Sequence, residues 1–116
     1  TTRVIDAVAG GAGAVIPVLP VTDTLKTVDA SGVVVGTPRR SDMVAVQTPQ
    51  GFRWDVLIRA HEEGASLGAD EARAATDDAG LVEAIGGTVH TVAGDERSMK
   101  VTRPLDLALA QILVAE

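Results

Sequence analysis

Val4, Ile5 and Val8 recur at helical spacing, and Gly10-Gly11 follows them, which predicts a short opening helix with a glycine stop. Ala14–Val21 then reads as a buried strand, rich in Val and Ile and punctuated by Pro17 and Pro20. Thr27–Asp29 and Val33–Val35 flank Ala30-Ser31-Gly32, the pattern of a β-hairpin. A polar excursion over 37–42 leads to another strand at Met43–Val46, and Thr48-Pro49-Gln50-Gly51 forms a turn. A helix follows over Arg53–Glu63, with Trp54, Val56, Leu57, Ile58 and Ala60 on its apolar side. Small residues make 64–75 a loop, and Thr76 is placed to cap a helix that runs to Ile85 and closes at Gly86-Gly87. Asp77 and Asp78 fall in its first turn, where the helix dipole favours carboxylates. A strand at Thr88–Val92, a Gly94-Asp95 turn and a short extended Met99–Thr102 segment complete the middle of the chain. Pro104 opens a last helix with a broad apolar face, Leu105, Leu107, Ala108, Leu109, Ile112 and Leu113. This alternation predicts an α/β layer structure with a mostly parallel sheet. A hairpin of such thin strands buries little by itself, so it is expected to seek a partner subunit or a neighbouring domain.

Composition narrows the chemistry. The 116 residues amount to one domain, or one lobe of a larger one. With only Phe52 and Trp54 as aromatics the core must be aliphatic. A net charge of −6, no basic run and no aromatic platforms argue against nucleic-acid binding and favour a cytosolic, metabolic role. The absence of cysteine excludes disulfides, thiolate catalysis and thiolate-bound metal. The longest apolar run, Ala12–Val21, is too short to span a bilayer and holds two prolines, and no signal peptide is apparent. A start at Thr1, partway into a helical pattern, suggests a piece of a longer protein.

In an open α/β sheet, ligands bind beyond the carboxyl ends of the strands. Thr48 stands there, with a hydroxyl and neighbouring backbone N–H groups suited to a nucleotide or sugar hydroxyl; on spacing alone a proline-led turn is the stronger reading. Thr76 stands at a helix start, where simple capping is sufficient explanation. Lys100 follows the Thr88–Val92 strand and its turn, placed either to neutralise phosphate or only to be solvated. Arg39-Arg40 is a candidate phosphate clamp or a solubilising pair. His61 and His90 lack metal-ligand spacing, and no Walker loop, nucleophile elbow or catalytic carboxylate pair occurs.

Taken together, these segments carry a resemblance. Pro17–Lys26 (PVLPVTDTLK), Val33–Thr37 (VVVGT), Arg40, Ala45–Phe52 (AVQTPQGF), Thr76–Glu83 (TDDAGLVE), Gly94-Asp95 and Lys100–Leu107 (KVTRPLDL) follow one another as in the C-terminal half of the 2-C-methyl-D-erythritol 4-phosphate cytidylyltransferases. The resemblance implies a Rossmann-like nucleotidyltransferase fold and transfer of a cytidylyl group from CTP to 2-C-methyl-D-erythritol 4-phosphate, with release of pyrophosphate and with Mg²⁺ held mainly by the CTP phosphates. It implies a homodimer whose subunits embrace through a protruding β-arm, here about residues 21–45. Thr24 and Arg40 match arm residues that reach the partner's site to bind substrate phosphate. Thr48, Thr76 and Lys100 match residues lining the substrate and nucleotide pocket of the main domain. Gly80 stands where the family often has serine, and Thr27 where a basic residue is frequent.

The family's glycine-rich CTP loop and its Asp-Ala-Ala-Arg motif are not in these 116 residues, so the stretch is expected to be the C-terminal part of one cytidylyltransferase domain, without catalytic or metal-binding residues of its own and inactive alone. Two alternatives are a ribitol-5-phosphate cytidylyltransferase and a non-catalytic dimerisation module.

Overall fold

The computed structural model describes residues 1–65 and 77–115. Helix α1 (Thr2–Ala9) turns Val4 inward and leaves Ile5 exposed. It stops where the Gly10 N–H donates to the Asp6 carbonyl and the Gly11 N–H to that of Val8. Gly11 takes φ 112°, a conformation that a side chain would disfavour.

The chain then enters β1 (Ala14–Pro20), the strand on which the main sheet is built. Strand β4 (Val44–Val46) pairs antiparallel with its second half, from Val18↔Val46 to Pro20↔Val44. Strand β5 (Gly51–Phe52) pairs antiparallel with its start, Ala14↔Phe52 and Val15↔Gly51. Strand β6 (His90–Ala93) runs parallel to it, from Val15↔His90 to Val18↔Ala93. The sheet is therefore mixed, not mostly parallel. Strand β4 returns after the hairpin excursion of residues 21–43 and β5 after residues 47–50, neither through a helical crossover, which suits antiparallel pairing. Strand β6 arrives only after the helical crossover that a parallel partner requires.

Pro17 shapes this sheet. The Gln47 N–H donates to the Pro17 carbonyl at 2.8 Å, but Pro17 has no N–H to return the bond. The ladder is broken at that pair, and the chain leaves the sheet between β4 and β5. Residues 47–50 are thereby lifted off the sheet beside the carboxyl end of β6.

Helix α2 (Trp54–Ala65) continues through Gly64 and Ala65, beyond the predicted end. Gly64 is buried, and a Cβ there would stand 3.2 Å from a Leu81 methyl, so the small residue serves close helix packing and not a loop. The rest of the predicted 64–75 loop lies outside the described residues, as does Thr76. Helix α3 (Asp78–Ala84) is capped by Asp77, whose carboxylate accepts the Gly80 N–H at 2.7 Å, so capping falls one residue later than predicted. His61 and Asp78 are 3.0 Å apart and link α2 to α3.

Ala14, Ala60 and Val82 form a buried cluster, with Phe52, Val56, Leu81, Ile85 and Val89 packed against it, and Val4, Val15 and Ala79 are buried as well. Two elements stand outside this core. The predicted hairpin forms from β2 (Thr27–Val28) and β3 (Val34–Gly36), a separate two-stranded sheet with Val33, Val34 and Val35 exposed. Helix α4 (Pro104–Ala115) starts at Pro104 as predicted, but Leu105, Leu107, Leu109, Ile112 and Val114 are exposed. Trp54, assigned to the apolar side of α2, is 75% exposed. Met99–Thr102 forms no strand. Among the described residues, no helix is long and apolar enough to cross a membrane.

Candidate functional site

The segment that Pro17 releases is pinned on both sides by glutamines. On one side the Gln47 amide faces the backbone of Asp95: the Asp95 N–H donates to Gln47 Oε1 at 2.9 Å, and Gln47 Nε2 donates to the Asp95 carbonyl at 2.8 Å. On the other, Gln50 Nε2 donates to Asp77 Oδ2 at 2.8 Å, and the Ala79 N–H donates to Gln50 Oε1 at 3.3 Å. Thr48 and Pro49, joined by a cis peptide bond, are held between these anchors.

A polar cavity of about 250 Å³ opens beside Thr48. Arg3, Gln47, Gly94, Asp95 and Ser98 line it together with Thr48. It lies at the carboxyl end of β6, where an α/β sheet places its ligands. Arg3 Nη1 donates to the carbonyls of Ala93 (2.9 Å) and Gly94 (3.2 Å), which brings a cation to the rim. The Gly94–Asp95 corner is fixed further by the Gly94 N–H on the Val18 carbonyl at 2.7 Å and the Ser98 N–H on the Asp95 carbonyl at 2.9 Å.

The predicted residues fall in three places. Thr48 lines the cavity. Thr24 and Arg40 are exposed near the hairpin, where Arg40 Nη1 donates to the Thr22 carbonyl at 2.8 Å. Lys100 is exposed on the segment that leaves the Gly94–Asp95 corner and is not among the lining residues of the cavity. Arg39 is exposed beside Arg40, at the entry of a 3₁₀ turn, Arg40–Asp42. Arg3, Gln47 and Ser98 were not singled out by sequence reasoning, and Asp95 was named only as part of the Gly94-Asp95 turn and motif. Gln47 carried one available signal, its place at a strand end next to Thr48.

Asp106 organises the far side of the Lys100 segment. It is 7% exposed, and its Oδ2 accepts the Thr102 N–H (3.2 Å), the Thr102 hydroxyl (3.1 Å) and the Arg103 N–H (3.1 Å). Arg103 Nη2 stands 3.4 Å from Oδ1. A carboxylate on the first turn of α4 thus reaches back to the chain before Pro104. The Thr102 N–H, followed by the Arg103 guanidinium, holds the Asp106 carboxyl below its ordinary value. A lowered native pKa means that the unfolded chain takes up its proton first as pH falls. The stabilisation is complete above about pH 4 and is lost below it, as the native carboxyl titrates. Asp106→Ala is therefore expected to lower the thermal midpoint by a few degrees at neutral pH, with wild type and variant converging in acid. Thermal melts across pH check this, and a gap unchanged in acid would contradict it. Asp29 shows the same direction in the hairpin turn, chiefly through the Ser31 hydroxyl and then the Val33 N–H.

Comparison with known proteins gives a consistent picture. The family model for 2-C-methyl-D-erythritol 4-phosphate cytidylyltransferase matches residues 1–116. The protein of that name from Rhodococcus jostii (strain RHA1) is 52% identical over 114 residues, which are 98% of this chain and 47% of the relative. Its counterpart from Nocardia farcinica (strain IFM 10152) is 54% identical over 112 residues, 97% of this chain and 45% of that one. The crystal structure of 2-C-methyl-D-erythritol 4-phosphate cytidylyltransferase from Thermus thermophilus aligns with a TM-score of 0.78 at 38% identity, covering 99% of this chain and 54% of that chain. The Francisella tularensis structure aligns with a TM-score of 0.83 at 25% identity, covering 97% and 51%. The chain spans about half the length of the curated relatives it matches.

Proposed function

The chain belongs to the 2-C-methyl-D-erythritol 4-phosphate cytidylyltransferase family, and we propose that it carries the acceptor side of the active site of a cytoplasmic enzyme of that activity. In the reaction, a phosphate oxygen of 2-C-methyl-D-erythritol 4-phosphate attacks the α-phosphorus of CTP. A new P–O bond forms, the bond to the β-phosphate breaks, and pyrophosphate leaves. Such transfers depend on positioning and charge neutralisation more than on a protein nucleophile. The observation that carries this reading is the family match over the whole chain, together with a polar cavity at the end of β6 that includes Thr48.

In this reading Thr48, Thr76 and Lys100 orient and neutralise the acceptor, while Thr24 and Arg40 on the 21–45 arm reach the phosphate bound by a partner subunit of a homodimer. The exposed valines of the hairpin support an arm that docks elsewhere. Among the described residues no three His, Cys, Asp or Glu side chains gather into a metal site. Mg²⁺ would be held mainly by the CTP triphosphate and not by these side chains.

The test is pyrophosphate release in a chain of family length, with CTP and either 2-C-methyl-D-erythritol 4-phosphate or ribitol 5-phosphate. Turnover with the first acceptor is expected, and turnover only with ribitol 5-phosphate would move the assignment to that substrate. The 116 residues alone are expected to bind CTP weakly, and micromolar affinity in a titration would contradict the half-site reading.

A further inference from the structure

We propose that Gln47 is a positioning residue for the acceptor, setting the register between Thr48 and the segment that carries Lys100; this rests on the reading of those two residues as acceptor ligands. Gln47 is the last residue that β1 holds before the 48–50 excursion, through its N–H on the Pro17 carbonyl, and Thr48 follows it into the cavity rim. Its side chain extends to the other flank of β1. There the amide takes both backbone groups of Asp95, as a neighbouring strand would.

The fit depends on Gly94. A Cβ on Gly94 would collide with Gln47 Oε1 and stand 3.0 Å from the Val18 carbonyl oxygen. The corner is thus shaped so that a glutamine amide lies flat against it. Asp95 in turn fixes the residues leading to Lys100: its carbonyl also accepts the Ser98 N–H, and its carboxylate accepts the Arg97 N–H at 2.8 Å. Arg3 holds the same corner through Ala93 and Gly94, and its guanidinium and the Asp95 carboxylate are the charged side chains that line the cavity beside Gln47. The Arg3 bonds act on residues before Asp95. The two Gln47 bonds are the direct tie between the Thr48 loop and Asp95 itself.

The experiment uses a chain of family length with Gln47→Met, which keeps length and removes both bonds, and Gln47→Glu, which keeps an acceptor for the Asp95 N–H and removes the donor. Gly94→Ala perturbs the same contact from the opposite side. Amide hydrogen exchange at Asp95 is expected to quicken about tenfold or more in Gln47→Met, the scale of losing a pair of hydrogen bonds. KM for 2-C-methyl-D-erythritol 4-phosphate is expected to rise by about the same factor, with KM for CTP unchanged. Gln47→Glu should share the acceptor defect. The Gln47→Met and Gly94→Ala effects should combine less than additively, since both break one contact. Unchanged Asp95 exchange in Gln47→Met overturns the proposal, as does faster exchange with wild-type KM for the acceptor. Either result can occur while wild-type turnover upholds cytidylyl transfer, so the two readings fail separately.

Discussion

Arg40→Ala, in a chain of family length, is expected to raise KM for the phosphorylated acceptor by about 10- to 100-fold while leaving KM for CTP unchanged. One guanidinium N–H donates to the Thr22 carbonyl, which orients the group and leaves the rest of the donor fork for an oxyanion. Phosphate is suited to that fork, and a charge-assisted pair lost without a substitute gives an effect of this size. Arg40→Lys should recover only part of it, because an ammonium cannot reproduce two parallel bonds. The arm reading adds a sharper expectation. Mixed dimers of Arg40→Ala with a subunit defective only in its main-domain pocket should regain turnover, since one of the two shared sites would then be intact. Steady-state kinetics and mixing measure both effects, and no recovery in mixed dimers would remove the arm from the site.

Lys100→Ala is expected to lower kcat/KM by about 10²- to 10³-fold, the range for loss of one preorganised group that stabilises transition-state charge. Among the described residues the Lys100 ammonium has no hydrogen-bond or ion-pair partner, unlike Lys26, which donates to the Thr37 hydroxyl at 2.8 Å. An uncommitted ammonium on an exposed segment is available to a phosphate, with no internal bond to break first. Lys100→Arg should retain more activity than Lys100→Ala because it keeps the charge. A kcat/KM in Lys100→Ala within twofold of wild type would exclude a role for this residue.

Where apolar periodicity or turn chemistry dominates, the sequence was a good guide. The opening helix with its glycine stop, the Asp29–Val33 turn, and the order of strands and helices follow from local rules that residues a few positions apart enforce. Strand β5 was read as part of a turn, since Gly51-Phe52 is too short to show alternation and owes its pairing to β1. The mixed sheet was missed because strand direction is set by which neighbours pair: β4 was read as a strand, but its antiparallel pairing with β1 leaves no local signal. Gly64 has the composition of a loop and a place in a helix, decided by how close Leu81 lies. For the candidate site, Thr48 was legible because strand-end logic needs only a strand and a hydroxyl. Gln47, Gln50 and Arg3 were not, because they bond to backbone far along the chain, and a side chain that reaches the 93–95 corner leaves no periodic trace.

That the buried apolar side chains among the described residues are alanines and valines (Val4, Ala14, Val15, Ala60, Ala79 and Val82) makes the tolerance of this fold to sequence drift one-sided. Truncation has little to remove at the alanines, so the cavities that usually accompany loss of core volume are small here. Enlargement is the costlier change, because the buried small side chains lie where α3 packs against α2 and against β1. Substitutions along the rim are then expected to cost little, while those that add volume at Ala14, Ala60 or Ala79 are expected to cost most.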